Sequence, residues 1–168
     1  MKPYKRAIAT SAFVISLTLG TASIAADLPK EGTFKGTFSS YGTNKTIKVG
    51  DLSLTTFDET GPQLADGFAD HLTLHCWGIG EVANGITANH GYCVGTDPSG
   101  DQIASKFAGE KAAQDKAMKG TTTFTSGTGK FAGVSGTLHY VVHAPEFRAP
   151  SEGTYVNYVT FEGNYKVP

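Results

Sequence analysis

Gly127-Thr128-Gly129-Lys130-Phe131-Ala132-Gly133-Val134-Ser135-Gly136, running into Thr137-Leu138-His139-Tyr140-Val141-Val142, is the stretch that decides the fold. Its second half alternates, with Leu138, Tyr140 and Val142 on one side and Thr137, His139 and Val141 on the other. That period of two belongs to a strand, not a helix. The glycines before it supply backbone freedom for a sharp reversal. The stretch predicts a glycine-bent β-hairpin.

The same period recurs outward along the chain. Thr33 to Tyr41 sets Phe34, Gly36 and Phe38 against Lys35, Thr37 and Ser39. Thr46 to Phe57 is a second β-region, interrupted at Gly50-Asp51. Phe68 to Gly78, Ile86 to Thr96, Gln102 to Ala108, Gly120 to Thr125, Lys130 to His143 and Tyr155 to Val167 follow. Asp97-Pro98-Ser99-Gly100-Asp101 has the composition of a tight turn. Glu110 to Met118 is polar and alanine-rich and reads as one or two helical turns or a long loop. The chain holds 21 glycines, set between short β-patterned runs, which suggests turns and bulges. An all-β fold follows: an antiparallel, up-and-down, calycin-like barrel of about eight strands, with a two-sheet sandwich as the competing arrangement. Closure removes exposed strand edges. Eight strands leave an interior for packed side chains or one small ligand.

The first 26 residues read as a secretory signal peptide: Lys2, Lys5 and Arg6, then an apolar run from Ala7 to Leu19, then small residues to Ala26. The apolar run is shorter than a membrane span. A single domain, 27–168, would remain, without stable membrane insertion. Losing three basic residues leaves 11 Lys and Arg against 15 Asp and Glu, a formal charge of −4. That mildly acidic, scattered charge lacks the basic stripe of a nucleic-acid binder. Periplasmic or secreted localisation is expected, and there an oxidised Cys76–Cys93 bridge.

If Cys76 faces Cys93 directly, Trp77 faces Tyr92 and His75 faces Val94. Leu72, Leu74 and Cys76 then share one face. The turn at Pro98 to Gly100 carries that face to Ile103 and Phe107, leaving Gln102 and Lys106 with His71 and His75 outside. A one-residue slip would reverse every assignment. On this register Leu74 and Phe107 line a lumen.

The hairpin from Gly127 to Tyr140, with Glu152-Gly153 and Phe161-Glu162-Gly163-Asn164-Tyr165, resembles the allene oxide cyclase/dirigent barrel superfamily. Asn84-Gly85 through Gly91-Tyr92-Cys93 to Gly100-Asp101 is similar to uncharacterised secreted bacterial members. The resemblance covers about the C-terminal half of 27–168. It implies the barrel, and cofactor-free isomerase, cyclase or dirigent-type chemistry. The superfamily includes oligomers, which leaves a homo-oligomer open.

Other motifs fail on chemistry. Gly127-Thr128-Gly129-Lys130 lacks the first glycine of a phosphate loop, where Phe124 stands, and Phe131 occupies the Ser/Thr position. The Asp97–Asp101 turn has its glycine fourth and Ala108 twelfth, unlike a calcium loop. His71 and His75, like His139 and His143, are four apart, about 13 Å on a strand, too far to chelate together. No metal and no cofactor are expected. Asp58, Glu59, Asp101, Glu110, Glu152 and Glu162 supply acids without a spacing that marks a catalytic pair.

The leading function is binding of a small, largely apolar molecule in the lumen, at Leu74, Phe107, Tyr140 and Tyr158. A cofactor-free isomerase or cyclase is the alternative, and an envelope protein-interaction module a further one. They separate on one feature. An enzyme needs an acid or tyrosine with a displaced pKa at the cavity. A binding protein needs an apolar cavity without a buried acid, and an interaction module a filled lumen.

Overall fold

The computed structural model describes residues 29–143, 149 and 151–168; the expected signal peptide lies outside them. The described chain forms β1 (Glu31–Val49), β2 (Leu52–Ala65), β3 (Leu72–Ala83), β4 (Ile86–Thr96), β5 (Gln102–Ala112), β6 (Met118–Gly127), β7 (Thr137–His143) and β8 (Thr154–Lys166). Each strand pairs antiparallel with the next, and β8 closes on β1. The all-β, up-and-down barrel of eight strands is therefore the fold, and the sandwich is set aside.

Several boundaries differ from the sequence reading. The two runs at Thr33 and Thr46 belong to one long strand, and the break at Gly50-Asp51 is the β1–β2 turn, with Gly50 at φ +58°. Strand β2 continues through Thr60-Gly61-Pro62 to Ala65, beyond the Phe57 limit of the sequence reading. Pro62 is tolerated because β1–β2 pairing lapses there, between Phe38↔Gln63 and Tyr41↔Thr60. The Glu110–Met118 segment is neither helix nor long loop. Strand β5 extends to Ala112, and Asp115 closes a short turn by accepting the Ala112 N–H at 2.9 Å.

The hairpin β6–β7 is present, but its connection is longer than the alternation suggests. A 3-10 turn at Gly129–Phe131 inserts Phe131 into the bottom of the barrel, where it is 1% exposed. Phe68, from the β2–β3 connection, enters beside it. Phe68 stacks on Tyr165 at 3.8 Å and meets Phe34, Phe124 and Phe131 edge-on. This aromatic floor closes one end.

The glycine-rich loop is pinned by the Asp97 turn, not by a phosphate. Asp97 Oδ1 accepts Ser99 N and Oγ and Asp101 N, and Oδ2 pairs with Lys130 Nζ at 2.6 Å. Asp101 accepts the Lys130 N–H, and Thr128 exchanges two hydrogen bonds with Gln102. Burial alone would raise the Asp97 pKa. Hydrogen bonds from Lys130, Ser99 and Asp101 and the Lys130 charge outweigh it and hold the carboxyl well below the usual carboxylate range. Its stabilisation is therefore present above the unfolded-state pKa near 4 and is lost only as pH falls through the depressed native value. Asp97→Asn should cost on the order of 2 kcal/mol at pH 7, the half-exposed Lys130 moderating the loss. Urea denaturation at pH 7 checks this; an unchanged midpoint would mean the turn does not anchor the floor.

Candidate functional site

Above the aromatic floor the lumen is a cavity of about 480 Å³, within the range of small-molecule sites. Its walls follow from the register. Cys76 pairs with Cys93, Trp77 with Tyr92, and Gly95 with Ile103. Leu72, Leu74, Cys76, Ile103 and Phe107 face inward, as expected from that pairing, and Cys76 and Cys93 are bonded.

Many inward positions are glycine, in mid-strand instead of at turns. They lie under aromatic rings. Phe57, Gly78, Gly91 and Phe107 form one cross-strand row, and the two rings tilt together over the glycines with centroids 6.1 Å apart. Tyr140, Gly120, Gly109 and Asn89 form another. The Tyr140 ring lies across both glycines, and its hydroxyl donates to Asn89 Oδ1 at 3.1 Å. A β-carbon on Gly120 would strike the phenol. The rings thus lie along the wall, and the lumen stays open.

A third row, Tyr155–Gly42–Glu59–Cys76–Cys93–Ser105, crosses the middle of the lumen. Tyr155 lies over Gly42 toward Glu59. Glu59 is 8% exposed. Its Oε2 accepts Ser40 Oγ at 2.6 Å and Asn157 Nδ2 at 2.8 Å, from two residues that pair across β1 and β8. Oε1 has no hydrogen-bond partner among the described residues, and the buried Tyr155 hydroxyl, close to Glu59, completes no well-formed hydrogen bond. Burial raises the Glu59 pKa; the Ser40 and Asn157 hydrogen bonds and the nearby Tyr155 hydroxyl oppose this, and the Asp58 charge adds to it. Burial and the Glu59 charge likewise push Tyr155 up strongly and Tyr140 to about 12. Both phenols stay protonated donors at neutral pH. The arrangement suits a carboxyl that shares or moves one proton at Oε1, facing apolar walls.

Of the four residues expected at a ligand site, Leu74, Phe107 and Tyr140 line this cavity. Tyr158 does not. It points outward, 39% exposed, with its ring 5.6 Å from His143. The phase of β8 sets Tyr155, Asn157 and Val159 inward instead. Glu59, Ser40, Asn157 and Tyr155 were not singled out by the sequence. The signal available was alternation: continuing Phe34, Gly36 and Phe38 by one step places Ser40 inside, and Phe57 places Glu59 inside. Among the described residues no group of three His, Cys, Asp or Glu side chains is close enough to hold a metal ion.

No protein-family model matches the chain, and no curated protein matches it. Among solved structures it is similar to the pterocarpan synthase dirigent protein. The TM-score is 0.46 and the identity 11%, covering 82% of this chain and 93% of that one. The class is defined by the chain's own strand pairing: a closed eight-stranded barrel with a largely apolar lumen into which one buried acid, Glu59, faces.

Proposed function

We propose that this is an exported, cofactor-free barrel that takes a small, largely apolar molecule into its lumen and shifts a proton on it, in an isomerisation or cyclisation. The observation that carries the reading is Glu59, a buried carboxyl with a raised pKa, one oxygen held by Ser40 and Asn157 and the other free in an apolar cavity. Protonated, Oε1 donates to a carbonyl, ether or developing oxyanion of the substrate; ionised, it withdraws a proton from carbon. Tyr155 supplies a second donor beside it. Export is supported by the disulfide, a bond kept in oxidising compartments.

The test is native mass spectrometry of the protein from its source, followed by Glu59→Gln. One small molecule per barrel is expected. Glu59→Gln should retain that binding, because the amide preserves the shape and the Ser40 contact, while turnover of the recovered molecule falls by about 10²-fold or more. Equal turnover would take the proton-transfer role from Glu59, no turnover by the parent would leave a binding protein only, and an empty lumen would remove the binding step itself.

The same variant has a thermodynamic signature. A native pKa raised above the unfolded value near 4.5 means the native state holds the proton longer. Stability then falls as pH rises from the unfolded pKa through the native one. Glu59→Gln should match the parent below pH 4 and melt higher than it at pH 8. A parallel pair of pH–melting curves would contradict the shift.

A further inference from the structure

The outer wall carries a row unlike its surroundings. Asp58, Trp77, Tyr92 and Lys106 are successive register partners across β2, β3, β4 and β5. Trp77 is 42% and Tyr92 54% exposed. Their outward neighbours are His75 and Ile79 on β3 and His90 and Val94 on β4, with Ala104 and Ala108 flanking Lys106 on β5. At the indole edge, His75 Nε2 meets Asp58 Oδ1 at 2.9 Å, and the imidazole lies 5.4 Å from the indole. Below it, Thr73, Thr96 and Gln102 complete a shallow hollow with His75, Trp77 and Val94, and Gln102 is hydrogen-bonded to Thr96 at 3.2 Å.

We propose that this face is a carbohydrate platform for a pyranose oligosaccharide. A pyranose presents an apolar C–H face and a rim of hydroxyls. The row presents two exposed aromatic side chains at its centre and hydrogen-bonding groups of both charges at its edges, in matching order. A lipid surface fits less well, since one acid and one lysine leave the row without the basic cluster that anionic headgroups attract. A second copy of the chain fits less well too. From Asp58 to Lys106 and from His75 to Ile79 the patch spans ~14 by ~13 Å, on the order of 200 Å². A stable interface takes about 800 Å² per partner. The proposal is independent of the lumen and of Glu59.

Trp77 is the single tryptophan of the chain, so its fluorescence reports on this face alone. Titration with N-acetylglucosamine hexamer and with cellohexaose should give a saturable emission change with at least one of them. Tyr92→Ala should weaken it about tenfold or more, with an unchanged melting temperature. Trp77→Ala should abolish retention in gels containing the corresponding soluble polysaccharide. Flat emission with both hexamers overturns the proposal, as does a Tyr92→Ala protein that binds as tightly as its parent. Sedimentation velocity supplies the third arm. A dimer that becomes monomeric on Trp77→Ala would make the face an interface between copies and overturn the carbohydrate assignment.

Discussion

Phe131→Ala is expected to destabilise the protein by about 3–5 kcal/mol, the range for deleting a fully buried aromatic ring. Phe131 is the deepest side chain of the floor, edge-on to Phe68 at 5.7 Å, with the Lys130 ammonium 5.1 Å from its ring centre. The 3-10 turn that presents it is fixed by the Asp101 and Gln102 hydrogen bonds and by the Asp97–Lys130 ion pair, so the backbone has little freedom to collapse into the vacancy. The void would open against Phe68, the ring at the centre of the floor. Urea denaturation measures the loss. A cost below about 1 kcal/mol would show that the floor repacks, and the lumen would then not owe its closed end to this ring.

Replacing both cysteines, Cys76→Ala with Cys93→Ala, should cost about 3 kcal/mol through the unfolded chain's regained freedom. The corresponding fall in melting temperature is about 10 °C for a domain of this size. The bond spans 17 residues and ties β3 to β4 from inside. Cys76 is almost wholly buried. Calorimetry of the oxidised and doubly substituted proteins decides it. Coincident transitions would mean that backbone pairing of β3 and β4 alone fixes this part of the wall.

The cysteine pair also explains which parts of the fold were legible. Placing Cys76 opposite Cys93 set the phase of β3, and the short Asp97–Asp101 turn carried that phase to β5. The inward set Leu72, Leu74, Ile103 and Phe107 and the outward set His75, Gln102 and Lys106 follow from those two constraints. Strand β8 has no such anchor. Tyr155 and Tyr158 differ by an odd number of residues, so only one can face inward, and composition favours neither. Asp58-Glu59 poses the same problem: two adjacent acids, one in solvent and one in the lumen, separated only by phase. Gly42 and Gly61-Pro62 resemble turn residues because a strand position beneath a ring or beside a pairing lapse needs the same absence of bulk that a turn needs. Local sequence cannot distinguish the two uses; the ring that fills the space comes from another strand.

That use of glycine sets the bore of the barrel. At Gly42 a tyrosine from β8 occupies the room a side chain would take, and at Gly109 and Gly120 a tyrosine from β7 does so. A methyl group at any of these sites meets the phenol and also a carbonyl of the neighbouring strand, Asp58 O at Gly42, Lys119 O at Gly109 and Ala108 O at Gly120. Ring and strand must both give way, so the bore at these points cannot change without disturbing the pairing of the wall. The calibre of the channel is written into the same positions that hold the barrel shut.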